Sequence, residues 1–262
     1  MDEWIVRCLF RRLDKLTVRC DESSIWLRRW GLVQKMCSVP DIVFALRCLK
    51  PEWFELRKER KGLGIVAINN GFSTKLGEEE TNSLLLKLVA AAAQFHREIG
   101  EPILLFTQVY IPLSDDDYTV VEILAKLLKS HSIPHEVLAP EQGLRDYIGK
   151  IASCRGIIGC RMHACILAAV SHTPLIGLAY QPKFMGIFRQ LGTEEWLCPL
   201  NSVEESWICD RVSDLVVDQK DLEGHLAAQV EILESRVMDF LEKSESAVSQ
   251  KEGAGMIEED FH

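Results

Sequence analysis

The stretch Gly156-Ile-Ile-Gly-Cys-Arg-Met-His-Ala-Cys-Ile-Leu-Ala-Ala-Val170, with Thr173-Pro-Leu-Ile-Gly-Leu-Ala-Tyr-Gln-Pro-Lys183 after it, decides how the chain is read. Gly156 to Gly159 is a short apolar run of the kind that forms a buried strand. An Ala/Leu/Ile-rich segment of helical length follows, and Leu175 to Ala179 is a second apolar run. The pattern predicts strand, helix, strand. In such a parallel unit the carboxyl end of the strand and the amino end of the crossover helix share one rim of the sheet, where α/β proteins bind ligands. Arg161 and His163 fall on that rim. The free amides and positive dipole end of the helix favour an anion there, and an Arg fork adds bidentate recognition of carboxylate or phosphate. Tyr180 and Lys183 follow the next strand and reach the same rim.

Upstream of this unit the alternation is regular. Strand Gly64 to Ile68 precedes a helix from Glu78 to Glu98, strand Ile103 to Thr107 a helix from Asp117 to Ser130, and strand His135 to Ala139 a helix from Glu141 to Ala152. This predicts a Rossmann-like parallel sheet. Asn69 and Asn70 lie past the first of these strands, and Gln108 past the second is a candidate polar contact. Helices over Val203–Val217 and Leu222–Lys243 are expected to close the domain, with residues 244–262 a disordered acidic tail. Before the sheet, Met1 to Arg12 reads as a short amphipathic helix. Leu16 to Cys20 is strand-like, and Asp21, Ser23 or Ser24 is placed to cap a helix running to Trp30 and stopped by Gly31. Cys37 to Leu46 reads as a strand end and turn into a short helix. Residues 47 to 61 interleave Lys50, Arg57, Lys58, Arg60 and Lys61 with Glu52, Glu55 and Glu59, as a solvated connection does. The expected division is 1–50, 51–243 and 244–262.

With 262 residues and 47% hydrophobic content the chain has ample material for a core, and its net charge of −9 speaks against a general nucleic-acid surface. Nine cysteines without a C-x-x-C, several in apolar runs, read as reduced thiols. No apolar run has the length to span a bilayer, and the first ten residues lack a signal-peptide layout, so the expected setting is cytoplasmic. Neither G-x-G-x-x-G nor a Walker A loop is present, and no cofactor or metal is called for. Asp115-Asp-Asp117 sits directly before a helix and reads as capping rather than as a metal ligand set. His131 and His135 are a weak metal signal.

The run Gly159-Cys-Arg-Met-His-Ala, together with Pro174-Leu-Ile-Gly-Leu-Ala-Tyr-Gln-Pro-Lys183 and Leu191-Gly192, resembles the polysaccharide pyruvyl transferase family. That family's motif is a strand, then Arg-(hydrophobic)-His, then P-x-I-x-(I/L)-x-Y-x-P-K. Arg19, Ser23, Leu27 and Asp41 fit the family's earlier pattern, although Cys20 stands where the family has Asp. An Arg expected near Asn69 and Asn70 is absent. The resemblance implies a GT-B-like α/β fold: a Rossmann-like parallel-sheet domain preceded by the remnant of a first domain. It also implies transfer of pyruvate from phosphoenolpyruvate to two hydroxyls of a sugar, as a ketal, in cell-wall polysaccharide biosynthesis. His163 and Arg161 become the expected catalytic pair, and Lys183, Tyr180, Gln108 and Arg19 the expected substrate contacts. The expected partners are phosphoenolpyruvate, a sugar or polysaccharide acceptor, and a polypeptide supplying the missing N-terminal units. A GT-B glycosyltransferase using a nucleotide sugar and a non-catalytic sugar- or anion-binding relative are the alternatives.

Overall fold

The computed structural model describes residues 3–54, 59–69, 77–110, 116–138 and 143–259. The chain opens with helix α1 (Glu3–Arg11), strand β1 (Leu16–Val18), helix α2 (Asp21–Arg29) and strand β2 (Met36–Ser38). β1 and β2 pair in parallel, Leu16 opposite Met36. Leu16, Val18, Leu27 and Leu32 form a small core of their own beneath them. Helix α2 starts one residue earlier than expected of its cap: the N-cap is Cys20, whose thiol makes no cap bond and instead lies 3.3 Å from Ser23 Oγ. Gly31 takes the left-handed φ of +70° that ends the helix. After β2, Asp41 caps a single 3-10 turn over Ile42–Ala45 by accepting from the Val43 amide at 3.2 Å, and helix α3 (Leu46–Leu49) follows.

The remaining elements are β3 (Leu63–Val66), α4 (Glu78–Ile99), β4 (Ile103–Phe106), α5 (Asp117–Ser130), β5 (His135–Val137), α6 (Leu144–Ser153), β6 (Gly156–Gly159), α7 (Met162–Val170), β7 (Leu175–Ala179), α8 (Lys183–Leu191), β8 (Leu197–Pro199), α9 (Glu205–Val217) and α10 (Gln219–Glu259). Their six strands are all parallel, in the order β5-β4-β3-β6-β7-β8. The sheet is therefore Rossmann-like, and its order reverses between β3 and β6. At such a switch point the crossovers leave in opposite directions and open a crevice at the carboxyl ends of the strands. β3, β4 and β6 are buried along their length, as continuous apolar runs covered by helices on both faces require. α4 packs against α5 and α9, while α7 packs against α6, α8 and α10.

Gly177 shows how closely the second half is packed: a Cβ there would lie 2.3 Å from the Phe188 ring and 2.7 Å from Leu197. Only glycine lets α8 and β8 approach β7 this far. β8 itself is missing from the sequence reading, because three residues ending in proline at a sheet edge carry almost no strand signal. α10 buries Leu226, Val230, Leu233 and Val237, a stripe at helical spacing. It runs on to Glu259, through most of the segment expected as a disordered tail, over residues rich in good helix formers. Of the expected α6, positions 141 and 142 lie outside the described residues, as do Glu55, Arg57 and Lys58 of the expected connection.

Arg60 departs from the solvated face expected of residues 47 to 61. Its Nη1 donates to the carbonyls of Ala152 and Cys154 at 3.1 and 3.2 Å and to Thr173 Oγ1 at 2.6 Å. Nη2 donates to the carbonyls of Ser171 and His172 at 3.2 and 2.8 Å, and Nε meets Glu223 at 2.6 Å. One planar fork thus closes the free carbonyls at the ends of α6 and α7, where a positive charge also suits the helix dipoles, and fastens both to α10. Interleaved charges in a sequence do not reveal which one is swallowed. Arg60→Ala takes the guanidinium away from several backbone carbonyls and leaves Glu223 only its bond from Gln219 Nε2, and it is expected to lower unfolding stability in urea by about 3 kcal/mol. Arg60→Lys, with one compact donor group, is expected to recover only part of that loss.

Candidate functional site

Asp117 lies at the switch point, fully buried. It accepts from Arg161 Nε at 3.1 Å and Nη2 at 2.6 Å, from the Asn69 amide at 3.2 Å and from the Val109 amide at 3.0 Å. Asn69 Nδ2 adds a bond to the Asp116 carbonyl at 2.7 Å. A single carboxylate therefore joins the loops after β3, β4 and β6 to the start of α5. Burial pushes its pKa up, while Arg161 and the two amides pull the other way. Within the acidic run it is Asp116 that caps α5, by accepting from the Tyr118 amide at 3.2 Å; Asp115 lies outside the described residues. The capping reading thus holds for Asp116 and misses Asp117. Arg161 is only 7% exposed and turned toward Asp117, so the fork expected to meet a ligand is spent on a buried pair.

Exposed charge at the rim comes from other residues. α7 is buried throughout except for His163, whose side chain is about half exposed. His163 Nε2 lies 3.9 Å from Asp41 Oδ2, and the same carboxylate oxygen takes the guanidinium of Arg19. Arg19 leaves the end of β1; its carbonyl accepts from Gln190 Nε2 of α8 at 3.0 Å, which fastens the two-stranded sheet to the larger one. Lys183 opens α8, its Nζ 5.7 Å from the centre of the Tyr180 ring, and that ring packs edge-on against Phe184 at 5.5 Å. Among the described residues Lys183 has no carboxylate partner. Burial, then Arg19 and Arg161, hold its ammonium below the ordinary lysine range. Burial also lowers the His163 imidazole; Asp41 raises it, and Arg19 and Lys183 lower it again. The arrangement sets one uncompensated ammonium, Lys183, beside two ion-paired guanidiniums and a titratable ring, a setting that suits an anion.

On the other flank of His163 a cavity of about 600 Å³ opens between the Ile42–Leu49 segment and α6. Gln108 lines it with Thr107, Tyr147 and a wall of aliphatic side chains. The structure thus gathers Arg19, His163 and Lys183 with Arg161 behind them, puts Gln108 across His163, and leaves Tyr180 beside Lys183 facing Met185 and Leu197. Asp41 and Asp117 are the residues that sequence reasoning named but did not place at the site. The family pattern around Asp41 was a usable signal, whereas Asp117 is indistinguishable from its acidic neighbours until the chain is folded. A larger polar hollow of about 950 Å³ opens at the opposite ends of the strands, around Lys61, Glu101 and Arg155, and shares no residue with the rim.

The sequence profile described as polysaccharide pyruvyl transferase matches residues 1–182. Over 81 residues the chain is 28% identical to the amylovoran biosynthesis protein AmsJ of Erwinia amylovora, which covers 31% of this chain and 20% of that protein. A UDP-forming α,α-trehalose-phosphate synthase from Burkholderia xenovorans superposes with a TM-score of 0.58 at 11% identity, over 91% of this chain and 62% of its own. The UDP-GlcNAc 2-epimerase of Methanocaldococcus jannaschii superposes with a TM-score of 0.53 at 12% identity, over 78% of this chain and 54% of its own. These likenesses establish the α/β, GT-B-like fold and nothing finer. The chain spans less than two thirds of the length of each of these relatives.

Two measurements separate the structural pair from the exposed charges. Arg161→Met strands a buried carboxylate and is expected to cost about 3–5 kcal/mol, whereas Arg161→Met with Asp117→Leu removes both charges and is expected to recover only part of that loss, since the Asn69 and Val109 amides lose their acceptor. In an NMR titration His163 is expected below the ordinary histidine value. Sulfate, whose charge is constant over this range, is expected to raise it, because an anion offsets Arg19 and Lys183; sulfate binding then takes up a proton and is tighter at about pH 6 than at about pH 8.

Proposed function

The chain belongs to the polysaccharide pyruvyl transferase family, and we propose that it takes part in polysaccharide modification by moving pyruvate from phosphoenolpyruvate onto two hydroxyls of a sugar, as a ketal. The observation that carries this reading is Lys183: a partly buried ammonium near Arg19 and Arg161 with, among the described residues, no carboxylate partner. Phosphoenolpyruvate brings a carboxylate and a phosphate, and the half-buried cations Lys183 and Arg19, the latter shared with Asp41, suit those two groups.

His163 is the proton donor in this proposal. Burial holds its ring toward the neutral form. The donor's negative charge reverses the field of Arg19 and Lys183 and draws a proton onto the ring, beside the enol carbon that needs it. Proton transfer to the methylene carbon makes the methyl group and leaves C2 oxocarbenium-like. One sugar hydroxyl adds to C2 and gives up its proton. The C2–O bond to phosphate then breaks, phosphate leaves with the electron pair, and the second hydroxyl adds and loses its proton. Of the two protons released, one restores His163 and one ends on phosphate. Fixed positive charge from Arg19 and Lys183 stabilises the anion that develops as phosphate departs. Asp41 holds both Arg19 and His163 and sets their spacing. Arg161 acts as a positioning residue, through Asp117 and the loops that carry the others.

Calorimetric titration of the purified chain with phosphoenolpyruvate tests this. Saturable binding is expected, weakened at least about tenfold in Lys183→Ala and in Arg19→Ala. His163→Ala is expected to bind within about threefold of the native chain while losing pyruvyl transfer. No heat from the folded native chain, equal binding in Lys183→Ala, or preference for UDP over phosphoenolpyruvate overturns the proposal.

A further inference from the structure

We infer that helices α1 and α2 form a docking surface for an anionic lipid bilayer, a role independent of how the rim is read. α1 buries none of its residues. Trp4 is 74% exposed, and Ile5, Leu9 and, just past the helix, Leu13 recur every four residues and are all exposed. On α2, Ile25 and Trp26 are likewise exposed. The small core of Leu16, Val18, Leu27 and Leu32 includes none of these six side chains. Trp30 joins the two helices into one unit: its ring centre lies 6.0 Å from those of both Phe10 and Trp26, and its Nε1 donates to Glu3 at 2.6 Å. Lys35 Nζ fixes the end of α1 by donating to the carbonyls of Arg11 and Leu13 at 2.6 and 2.7 Å.

Charge decides what covers this surface. Residues 1–35 carry eight lysines and arginines against five aspartates and glutamates, while residues 36–262 carry 22 against 34, so a segment of net +3 stands on a remainder of net −12. Arg11, Arg12, Lys15, Arg28 and Arg29 are exposed close in sequence to the apolar side chains, and the Arg29 guanidinium lies 5.4 Å from the centre of the Trp26 ring. A second copy offering the same face would set like charge against like charge. A protein interface also keeps charge out of its centre, whereas here Arg11 and Arg12 stand between Leu9 and Leu13. A bilayer surface accepts both kinds of side chain together. Trp, Ile and Leu enter the boundary of the acyl region, and long Arg and Lys stems carry their charges back to the headgroup phosphates. Anionic lipid adds attraction for every base near the surface. Among the described residues no helix is long and apolar enough to cross a membrane, so the contact is one of lying on the surface.

The test is flotation of the whole chain with vesicles of equal parts phosphatidylcholine and phosphatidylglycerol, against vesicles of phosphatidylcholine alone. Binding to the anionic vesicles is expected to be at least about tenfold the stronger, and to weaken about tenfold when salt is raised to about 0.5 M. Trp4→Ser with Leu9→Ser removes apolar side chains, and Arg11→Glu with Arg12→Glu reverses charge. Each pair is expected to weaken anionic binding at least about tenfold. Because Trp4, Leu9, Arg11 and Arg12 are exposed, both variants are expected to keep the native Tm within about 2 °C. Their calorimetric response to phosphoenolpyruvate is expected to match that of the native chain, whichever way that titration falls. No flotation with either vesicle, equal flotation with both, or native flotation in both variants overturns the assignment. So does a dimer, seen by light scattering without lipid, that dissociates in Trp4→Ser with Leu9→Ser, since a second copy then covers the face.

Discussion

A buried carboxylate with four donors around it, Asp117, is the contact on which the rim of this protein depends. Loops at the carboxyl ends of parallel strands have few neighbours to hold them, since the strands that would pair with them have ended. Here the loops after β3, β4 and β6 converge on one charge. Removing a partner from such a cluster leaves an uncompensated ion in a low-dielectric setting, which is far costlier than losing a surface pair. The pair is thus less a source of net stability than a device that admits one arrangement of the switch point.

That device uses up Arg161, the residue whose place at the head of a helix makes it the natural anion ligand. The cations left for a ligand come from elsewhere: Arg19 from the end of the small sheet and Lys183 from the start of α8. The site is consequently composite. Asp41, four per cent exposed, is central to the arrangement, because one carboxylate pairs with Arg19 and lies 3.9 Å from Nε2 of His163. Gln190 ties the same Arg19 back to the large sheet through its carbonyl. Charges of one sign held this close repel one another, and Asp41 offsets only part of that repulsion.

Opposite in character is Arg60, at the other end of the strands. Its fork is almost fully saturated by backbone carbonyls, Thr173 and Glu223, and nothing is left over for a ligand. Saturation at Arg60 and the want of a carboxylate beside Lys183 among the described residues set the two ends of the strands apart. The distinction is one of hydrogen-bond and charge accounting.

Much of this was legible in the chain alone. β6, β7 and α5 fall on the residues their apolar runs and periodicity indicate, because a buried parallel strand must be apolar throughout and a surface helix must keep one apolar stripe. The rim position of Arg161, His163 and Lys183 follows from the same logic, since connectivity alone places strand ends and helix starts together. Local sequence could not show which member of Asp115-Asp-Asp117 is buried, which of the charges between Lys50 and Lys61 is swallowed, or that the best-placed arginine is spent on a structural pair. Those outcomes depend on residues 44 to 163 positions away in the chain, as with Asp117 and Arg161 or Arg60 and Glu223. The sequence by itself determined the α/β alternation, the helical and strand periods and the rim on which charge gathers. Only the tertiary structure decided which charges are paired and which stay open, because burial and partners, which set the cost of every charge, exist only once distant segments have packed.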